Sequence, residues 1–267
     1  MVQIEDITSA LRNSQHHKRN KVWEDWYNRL ISQMNENYYS FLNYGYLGQK
    51  RIDLSPSDEA VRIFLELYQV TLGKTHLNGK RVLDVSSGMG GGASWIARTH
   101  NPVSLVGMDI SSEAISLCNR QYHDQQNLSF TIGDAESIPF PDSSFDVVYN
   151  VEASHCYTNF NAFVKEVFRV LRPGGYFCWS DFHSSAKIRG IESFFTDSGF
   201  ELESSLDITE GVLRSLDFVK QGISRETEVG RIIWATDIGS LELVVQEFSS
   251  GERSYHCCSL VKNNYMV

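Results

Sequence analysis

The sequence predicts an α/β fold in which helices cover both faces of a mostly parallel β-sheet. Three observations support this prediction. Short apolar segments alternate with segments of helical periodicity between about residues 80 and 182. A glycine-rich turn follows the first apolar segment, and an acidic residue ends the second. The 267 residues, 42% of them hydrophobic and 21% charged, suffice for one large domain with a buried core.

The region up to about residue 78 predicts helices and is unusually aromatic. Its aromatic residues include Trp23, Trp26, Tyr27, Tyr38, Tyr39, Phe41, Tyr44 and Tyr46. We assign Trp23 and Trp26 to packing. The segment 55–58, Ser-Pro-Ser-Asp, predicts a helix start, because Ser caps helices, Pro suits a first turn and an acid suits the positive end of the dipole. Apolar residues then recur at helical spacing up to Leu72, and Gly73 is expected to end that helix.

The alternating region predicts five strands with helices between them. The strands span residues 81–85, 103–109, 128–132, 145–149 and 176–180. Helices are predicted at 94–99, after a cap at Ser111 or Ser112, and at 162–171, where the turn 172–175 (Arg-Pro-Gly-Gly) ends the last one. A helix at 188–198, a strand at 200–206, a polar helical stretch and a final strand at 255–261 follow. This alternation implies βαβ units and a parallel sheet.

Composition disfavours several classes of protein. The net charge of −9 is poorly suited to phosphate binding, and the one basic run, residues 16–19, is short, so we expect no nucleic-acid partner. The N-terminus is acidic without an apolar signal region, and no apolar stretch is long enough for a membrane span. Five cysteines without a CxxC pair indicate neither a disulfide framework nor a metal site. A cytoplasmic location without stable membrane insertion is therefore expected.

The segment 82–92 joins the first strand to the first helix and contains the pattern expected of a nucleotide-binding turn. Gly88 and Gly90 allow the backbone to turn sharply and to approach a ligand, and the helix start presents free N–H groups. With Ala93, these glycines also fit a loose G-x-G-x-x-A, which is typical of nicotinamide or flavin binding. The alternative is a tight turn without a ligand.

Asp109 ends the second strand, about where an acid meets ribose hydroxyls in nucleotide-binding α/β folds. The alternative is a capping role before Ser111 and Ser112. The two roles can coexist, because a carboxylate has two oxygens.

The segment Gly133–Phe140, which follows the third strand, decides between nucleotides. It resembles the adenine-binding turn of class I methyltransferases of the ubiquinone and sterol type. The segments 145–148 (Phe-Asp-Val-Val) and 171–176 (Leu-Arg-Pro-Gly-Gly-Tyr) also resemble that family, and dehydrogenases do not carry this series. In the family, an Asp accepts from the adenine amino group and the next backbone N–H meets the ring, which implies these roles for Asp134 and Ala135.

A narrower resemblance rests on the segment Asn150–Tyr157, which is similar to that of phthiotriol and phenolphthiotriol dimycocerosate O-methyltransferases. The segments 43–46, 180–182 and 246–255 agree with it, so the similarity covers most of the chain after about residue 35. One departure is the pair Ser86-Ser87, where the broader family often has Gly. We expect Ser86 to place a side chain close to the cofactor and to tilt the loop without abolishing binding.

The resemblance implies a Rossmann-like seven-stranded mixed sheet, the class I methyltransferase fold, with one antiparallel strand (255–262) near its edge. It implies an N-terminal helical lid (1–78) over the carboxyl edge and a core (79–267) in which 209–255 form an inserted lid or substrate segment. The expected cofactor is S-adenosyl-L-methionine. The expected cofactor-binding residues are Tyr38, Tyr46, Asp84, Ser86, Gly88, Gly90, Asp109, Ile110, Asp134, Ala135, Glu136 and Asn150.

His155 is the expected catalytic base, because it follows the fourth strand at the ligand-binding edge and imidazole ionises near neutral pH. The alternative is a histidine that packs within the lid. His183 is a second candidate for the base or a substrate contact, and Asp181 would orient either histidine or cap the strand end. No metal is expected: Asn150, Glu152 and Asp181 have the right chemistry for a hard cation, but their spacing does not resemble metal-dependent enzymes.

Three functions follow in order of preference. The first is an O-methyltransferase for a hydroxyl of a small lipid-like or polyketide-like natural product, as in secondary metabolism. The second is a carbon or nitrogen methyltransferase of the sterol or tocopherol type. The third is a dehydrogenase, or a nucleotide-binding protein without catalysis. The expected partner is a small-molecule acceptor, whose identity the sequence does not specify, and neither does it specify the oligomeric state.

Overall fold

Seven strands form one sheet in the computed structural model, which describes residues 19–33, 40–222 and 238–263. The strands are β1 (Arg81–Val85), β2 (Ser104–Asp109), β3 (Leu128–Ile132), β4 (Phe145–Val151), β5 (Leu171–Ser184), β6 (Phe200–Asp207) and β7 (Arg253–Lys262). The helices in the described ranges are α1 (Arg19–Gln33), α2 (Arg62–Leu72), α3 (Gly91–Thr99), α4 (Ser112–Gln121), α5 (Phe160–Val170), α6 (Ser185–Asp197), α7 (Thr209–Gly222) and α8 (Ile238–Ser249).

The strand order is β3-β2-β1-β4-β5-β7-β6. The first five strands pair in parallel, while β7 pairs antiparallel with both β5 and β6. The predicted mixed sheet with one antiparallel strand near its edge is therefore confirmed. Its order reverses between β1 and β4, so that chain segments diverge at the carboxyl ends of these two strands and leave a crevice there.

Alternation along the strands separates two apolar cores, one on each face of the sheet. Val82 belongs to the core that contains residues of α2, α3, α7 and α8, whereas Leu83, the next residue, belongs to the core that contains residues of α5 and α6. Cys257 and Cys258 on β7 divide in the same way. A sheet that is covered on both faces needs apolar residues at both odd and even strand positions, so its strands have almost continuous apolar runs.

Two predicted helix boundaries differ from the structure. The segment 55–58 precedes a 3₁₀ turn (Glu59–Val61), and α2 begins only at Arg62. The hydroxyl of Ser55 donates to the carboxylate of Asp58, which also binds Arg98. The turn 172–175 forms a bulge at the start of β5, since Leu171 pairs with Phe145 while Tyr176 already pairs with Val147. Gly73 ends α2 as predicted, with a positive φ of 54°.

The predicted position of the N-terminal helices is correct for one of them. The side chains of Trp23, Tyr27 and Ile31 on α1 line a pocket at the carboxyl edge. In contrast, α2 packs on the face of the sheet against β4, β5 and β7. No helix in the described ranges is both long and apolar enough to cross a bilayer.

Phe177, in the middle of β5, allows a test of the packing. Its ring is fully buried against Phe163, Phe195 and Phe200. Phe177→Ala is expected to lower the free energy of unfolding by about 3–5 kcal/mol, because the cavity can collapse only in part. Denaturant unfolding measures the change. Val103→Ala, at a residue with 64% exposure, is the control and should change stability by less than about 0.5 kcal/mol. Equal effects would contradict the described core.

Candidate cofactor and acceptor site

A pocket lies at the carboxyl edge of the sheet, where the chain leaves β1, β2, β3 and β4. It contains about 930 Å³ of empty space, part of it open to solvent. Residues from α1 and from the segment 40–43 form its outer wall. Its inner wall consists of the loops that follow the four strands. The pocket is thus built at the place where open α/β sheets bind ligands.

The glycine-rich turn after β1 forms one wall of the pocket. Gly88 and Gly90 both have positive φ values, 52° and 77°. Gly88 lines the pocket, whereas a Cβ at Gly90 would meet Cys118 and Phe130 at less than 3.0 Å. Gly90 therefore serves close packing under the turn and supports the pocket wall without lining it.

Ser86 explains the departure from the broader family's glycine. Its backbone is left-handed, with a φ of 63°, a conformation that favours glycine. Its Oγ lies 2.6 Å from the hydroxyl of Tyr157, which also accepts from Nδ2 of Asn150 at 2.9 Å. Asn150 in turn donates to the carbonyl of Val85. Ser86 lines the pocket, and this hydrogen-bond chain ties the turn after β1 to the segment after β4.

Asp109 bonds to the backbone on both sides and also lines the pocket. Its Oδ2 accepts from Gly88 N–H at 2.8 Å, and its Oδ1 accepts from Ser111 N–H at 2.9 Å. Ser111, rather than Ser112, caps α4 by accepting from Ala114 N–H. Asp109 also lines the pocket next to Ile110. Because each carboxylate oxygen has a second lone pair, Asp109 can still accept from a ribose hydroxyl.

The segment after β3 places Asp134 and Ala135 in the pocket wall. Oδ1 of Asp134 accepts from Glu136 N–H at 2.9 Å, a local turn that fixes the carboxylate. The side chain of Glu136 faces elsewhere: its Oε1 accepts from the N–H groups of Thr158 and Asn159 before α5. Glu136 therefore supports the wall instead of lining it.

Other predicted cofactor residues lie behind the pocket or outside the described chain. Asp84 is buried beside Tyr149, and burial raises the pKa of its carboxyl well above the usual value. Tyr46 packs over Gly211 of α7 and is not among the residues that line the pocket. Asn150 is fully buried and acts through Tyr157. Tyr38 lies outside the described residues.

Among the pocket residues that the sequence analysis missed, three lie on α1. Trp23, which we assigned to packing, lines the pocket together with Tyr27 and Ile31. These residues are four apart on α1, so they share one face of the helix. Trp23 does also pack on Trp26 and Tyr27, with ring centroids 5.9 Å apart in each case. The spacing of four residues between Trp23, Tyr27 and Ile31 could have indicated a shared helix face, whereas the number of aromatic residues alone could not.

His155, which is partly exposed, pairs with the buried Asp181 beside the pocket. Nδ1 of His155 lies 2.8 Å from Oδ1 of Asp181, whose side chain is fully buried. The ring stacks on Phe182 at 4.3 Å, while the neighbouring residues Ala153 and Cys156 line the pocket. Burial opposes protonation of the ring, but Cys156 and Asp181 outweigh it and raise the pKa of His155 well above its usual value.

His183 occupies a different environment. It is buried between Phe160 and Trp179, and its Nε2 has no hydrogen-bond partner among the described residues. Burial lowers the pKa of this imidazole to about 4, so it is neutral at physiological pH. Its ring does not bond to Asp181, which serves His155 instead.

The hydrogen-bond acceptors of the pocket fit the expected cofactor. Two carboxylates, Asp109 and Asp134, stand at adjacent strand ends, where ribose hydroxyls and an adenine amino group can donate to them. Gly88 leaves room at the turn, since a Cβ there would meet only Leu42, at 4.0 Å. Within the described chain, no group of three His, Cys, Asp or Glu residues is arranged to hold a metal ion.

Comparisons with known proteins agree with this geometry. Residues 83–179 match a family model described as a methyltransferase domain. A probable phthiotriol/phenolphthiotriol dimycocerosates methyltransferase 2 of Mycobacterium ulcerans is 41% identical over 74% of this chain and 77% of its own length. A fatty-acid O-methyltransferase of Mycolicibacterium smegmatis is 37% identical over 83% of each chain.

A solved structure shows the same fold at low sequence identity. The geranyl diphosphate C-methyltransferase of Streptomyces coelicolor, in complex with S-adenosyl-L-homocysteine, superposes with a TM-score of 0.67. The match covers 91% of this chain and 98% of that chain at 12% identity.

Asp109→Ala tests the cofactor wall. It removes the acceptor of two backbone N–H groups and the expected ribose partner, so affinity for S-adenosylmethionine should fall by about 1–3 kcal/mol. Isothermal titration calorimetry measures this loss. Asp146→Ala is the control, because Asp146 binds Arg172 at the other end of β4 and should not affect affinity. Unchanged affinity in Asp109→Ala would contradict the assignment.

A double-mutant cycle tests the role of Ser86. Ser86→Gly removes the cost of a left-handed backbone at a residue with a Cβ, but it also removes the hydrogen bond to Tyr157. Each contribution is worth about 1 kcal/mol, so the free energy of unfolding should hardly change. In a Tyr157→Phe background that bond is already absent, and Ser86→Gly should stabilise the protein by about 1 kcal/mol. Urea unfolding of the four proteins measures the coupling. Purely additive effects would rule it out.

Proposed function

The chain belongs to the S-adenosylmethionine-dependent methyltransferases, and we propose that it methylates the oxygen of a hydroxyl group on a small lipid-like or polyketide-like molecule. The observation that carries this proposal is the His155–Asp181 pair beside the cofactor pocket. A hydroxyl is a poor nucleophile, and removal of its proton by a positioned base accelerates its attack.

The cofactor supplies an electrophilic methyl group on a sulfonium. The protein has to bind it, align the acceptor oxygen behind the methyl carbon and accept the hydroxyl proton. In this proposal, Asp109, Asp134 and Ala135 hold the adenosine part and the turn at Ser86 and Gly88 lies against the methionine part. The sheet edge thereby fixes the direction from which the acceptor approaches.

His155 is the proposed base. Its Nδ1 faces the carboxylate of Asp181, which favours the tautomer with the proton on Nδ1 and leaves Nε2 to accept a proton. Asp181 then stabilises the imidazolium that forms. His183 is disfavoured as the base, because burial lowers its pKa and its ring nitrogen lies among aromatic side chains.

The surroundings of His155 support an apolar acceptor. Phe182 stacks on His155 and packs on Tyr44 at 5.4 Å, on Phe248 at 5.9 Å and on Tyr255 at 6.0 Å. These rings come from the segment 40–48, β5, α8 and β7, so an alkyl or aryl group beside His155 would meet an aromatic wall. The relatives are named for lipid substrates, which agrees with such an acceptor.

The carboxyl group of a fatty acid is a second candidate acceptor. A carboxylate needs no base, and His155, whose pKa is raised, could pair with it as a cation. The name of the Mycolicibacterium smegmatis relative points to the same acceptor class. Carbon or nitrogen methylation, the alternative from the sequence, has no comparable support in the described site.

His155→Ala separates these candidates. With a hydroxyl acceptor, kcat should fall at least tenfold while cofactor affinity is nearly unchanged, and the wild-type rate should rise with pH above 6.5, because the neutral ring is the active form. With a carboxylate acceptor, KM should rise as pH increases, since deprotonation removes the cation. Methyl transfer from labelled S-adenosylmethionine to long-chain alcohols, phenols and fatty acids measures both.

Asp181→Asn and His183→Ala complete the test. In Asp181→Asn, the increase of the reaction rate with pH should occur at lower pH, because the carboxylate of Asp181 raises the pKa of His155. His183→Ala should not change the pH at which the reaction rate increases. Were His183→Ala to abolish turnover and His155→Ala to leave it intact, the two roles would be exchanged. If neither change slowed the reaction tenfold, neither His155 nor His183 would act as the base.

A further inference from the structure

Glu152 is a third carboxyl group in the cofactor pocket, and neither the adenosine contacts nor the proposed base accounts for it. It follows β4 at the carboxyl edge and is partly accessible in the pocket wall. Both of its carboxylate oxygens accept from Tyr44 N–H at 3.0 Å, and Oε2 also accepts from the Tyr255 hydroxyl at 3.0 Å. Three chain segments therefore hold one carboxyl group in position.

The backbone at Glu152 is also unusual. Its φ is 51°, a left-handed conformation that is unfavourable for a residue with a Cβ, and its N–H donates to Ser180 O at 2.8 Å. An unfavourable backbone persists where the surrounding structure imposes it, and such positions concentrate at functional sites. Here the turn sets a glutamate into the pocket immediately after the strand ends.

The order of the strands places Glu152 at the methionine end of the cofactor. Asp134 follows β3, Asp109 ends β2, the glycine-rich turn follows β1, and Glu152 follows β4, in the spatial order β3-β2-β1-β4. Neighbouring strands lie about 4.8 Å apart. A cofactor whose adenosine lies at β3 and β2 therefore extends its methionine part, with the sulfonium, across β1 towards β4.

The charge of the pocket suits a cation. Of the described residues that line it, three carry carboxyl groups, Asp109, Asp134 and Glu152, and none is a lysine or an arginine. S-adenosylmethionine carries a positive sulfur that its product, S-adenosylhomocysteine, lacks. We propose that Glu152 is the residue with which this pocket discriminates the cationic cofactor from its neutral-sulfur product, by ionising when the sulfonium binds.

The ionisation of Glu152 in the absence of the cofactor supports this role. Burial raises its pKa to about 8, although hydrogen bonds from Tyr44 and Tyr255 and the charge of His155 lower it in part. At neutral pH the group is therefore mostly protonated, and a cation nearby favours loss of the proton. The titratable groups around it are Tyr27 on α1, Tyr44 from the segment 40–48, Tyr68 on α2, His155 after β4, Asp181 on β5, and Tyr255 on β7.

The direction of the pH dependence follows from this pKa. The carboxylate that favours the sulfonium becomes more abundant as pH rises, so affinity for S-adenosylmethionine should increase up to about pH 8 and then level off. Below the plateau the increase should approach tenfold per pH unit for a single proton. Affinity for S-adenosylhomocysteine should change much less, because it has no positive sulfur. This inference rests on the family's cofactor and does not depend on the acceptor.

Calorimetric titration with each of the two ligands, between pH 6.5 and 8.5 and in two buffers of different ionisation enthalpy, tests the proposal on the full chain. Near pH 7, S-adenosylmethionine should release close to one proton more than S-adenosylhomocysteine does. Glu152→Gln should abolish both this difference and the pH dependence, and should reduce the preference for S-adenosylmethionine about tenfold. Equal proton release for the two ligands in the wild type would overturn the proposal.

Three further variants separate Glu152 from its neighbours. His155→Gln should keep a pH dependence, with its plateau moved to higher pH, because the charge of His155 lowers the pKa of Glu152. Loss of the pH dependence in His155→Gln, together with its persistence in Glu152→Gln, would assign the proton to His155 and overturn the proposal. Tyr255→Phe should move the plateau to higher pH, because the lost hydrogen bond lowers the pKa of Glu152, and this test remains if Glu152→Gln does not fold. Glu66→Gln, a buried glutamate paired with Arg62 outside the pocket, is the matched control.

Discussion

The buried carboxylate of Asp181 is the constraint on which the site depends. It has no exposed surface, and an unpaired charge in such a place would be strongly destabilising. It accepts from the Ser154 hydroxyl, from the backbone and ring of His155, and from Phe182 N–H. Because these donors come from the segment after β4 and from β5, satisfying one charge fixes the carboxyl edge of two neighbouring strands.

Much of the sheet could be predicted because its physical signals are local. A strand covered on both faces must be apolar at both parities, so segments such as 81–85 stand out against the polar helix surfaces between them. The start of α2 was less predictable, since Asp58 is committed to Arg98, forty residues further along the chain. The bulge at 172–175 likewise depends on pairing with β4. Both deviations arise from tertiary contacts that no local pattern encodes.

The candidate site was predictable to the extent that its residues occupy strand ends. Asp109, Asp134, His155 and Asp181 all lie at or just beyond the carboxyl ends of strands that pair in parallel, so a correct topology brings them to one edge. The residues placed wrongly show the limit of this reasoning. Glu136 lies within the expected turn but bonds towards α5, and Trp23 lies on a helix whose docking site the sequence does not specify. Side-chain direction in loops, and the position of a distant helix, require the folded structure.

The insertion of β7 between β5 and β6 has a consequence for biosynthesis. β6 ends at Asp207 and its pairing partner begins at Arg253, so residues 208–252 must be synthesised before β6 can join the sheet. At about 5–20 residues per second, translation of that stretch takes roughly 2–9 s. Until β7 is available, the edge of β5 has no partner strand, and an exposed edge of this kind is open to intermolecular strand pairing. The sheet therefore closes late, after most of its helices have been synthesised.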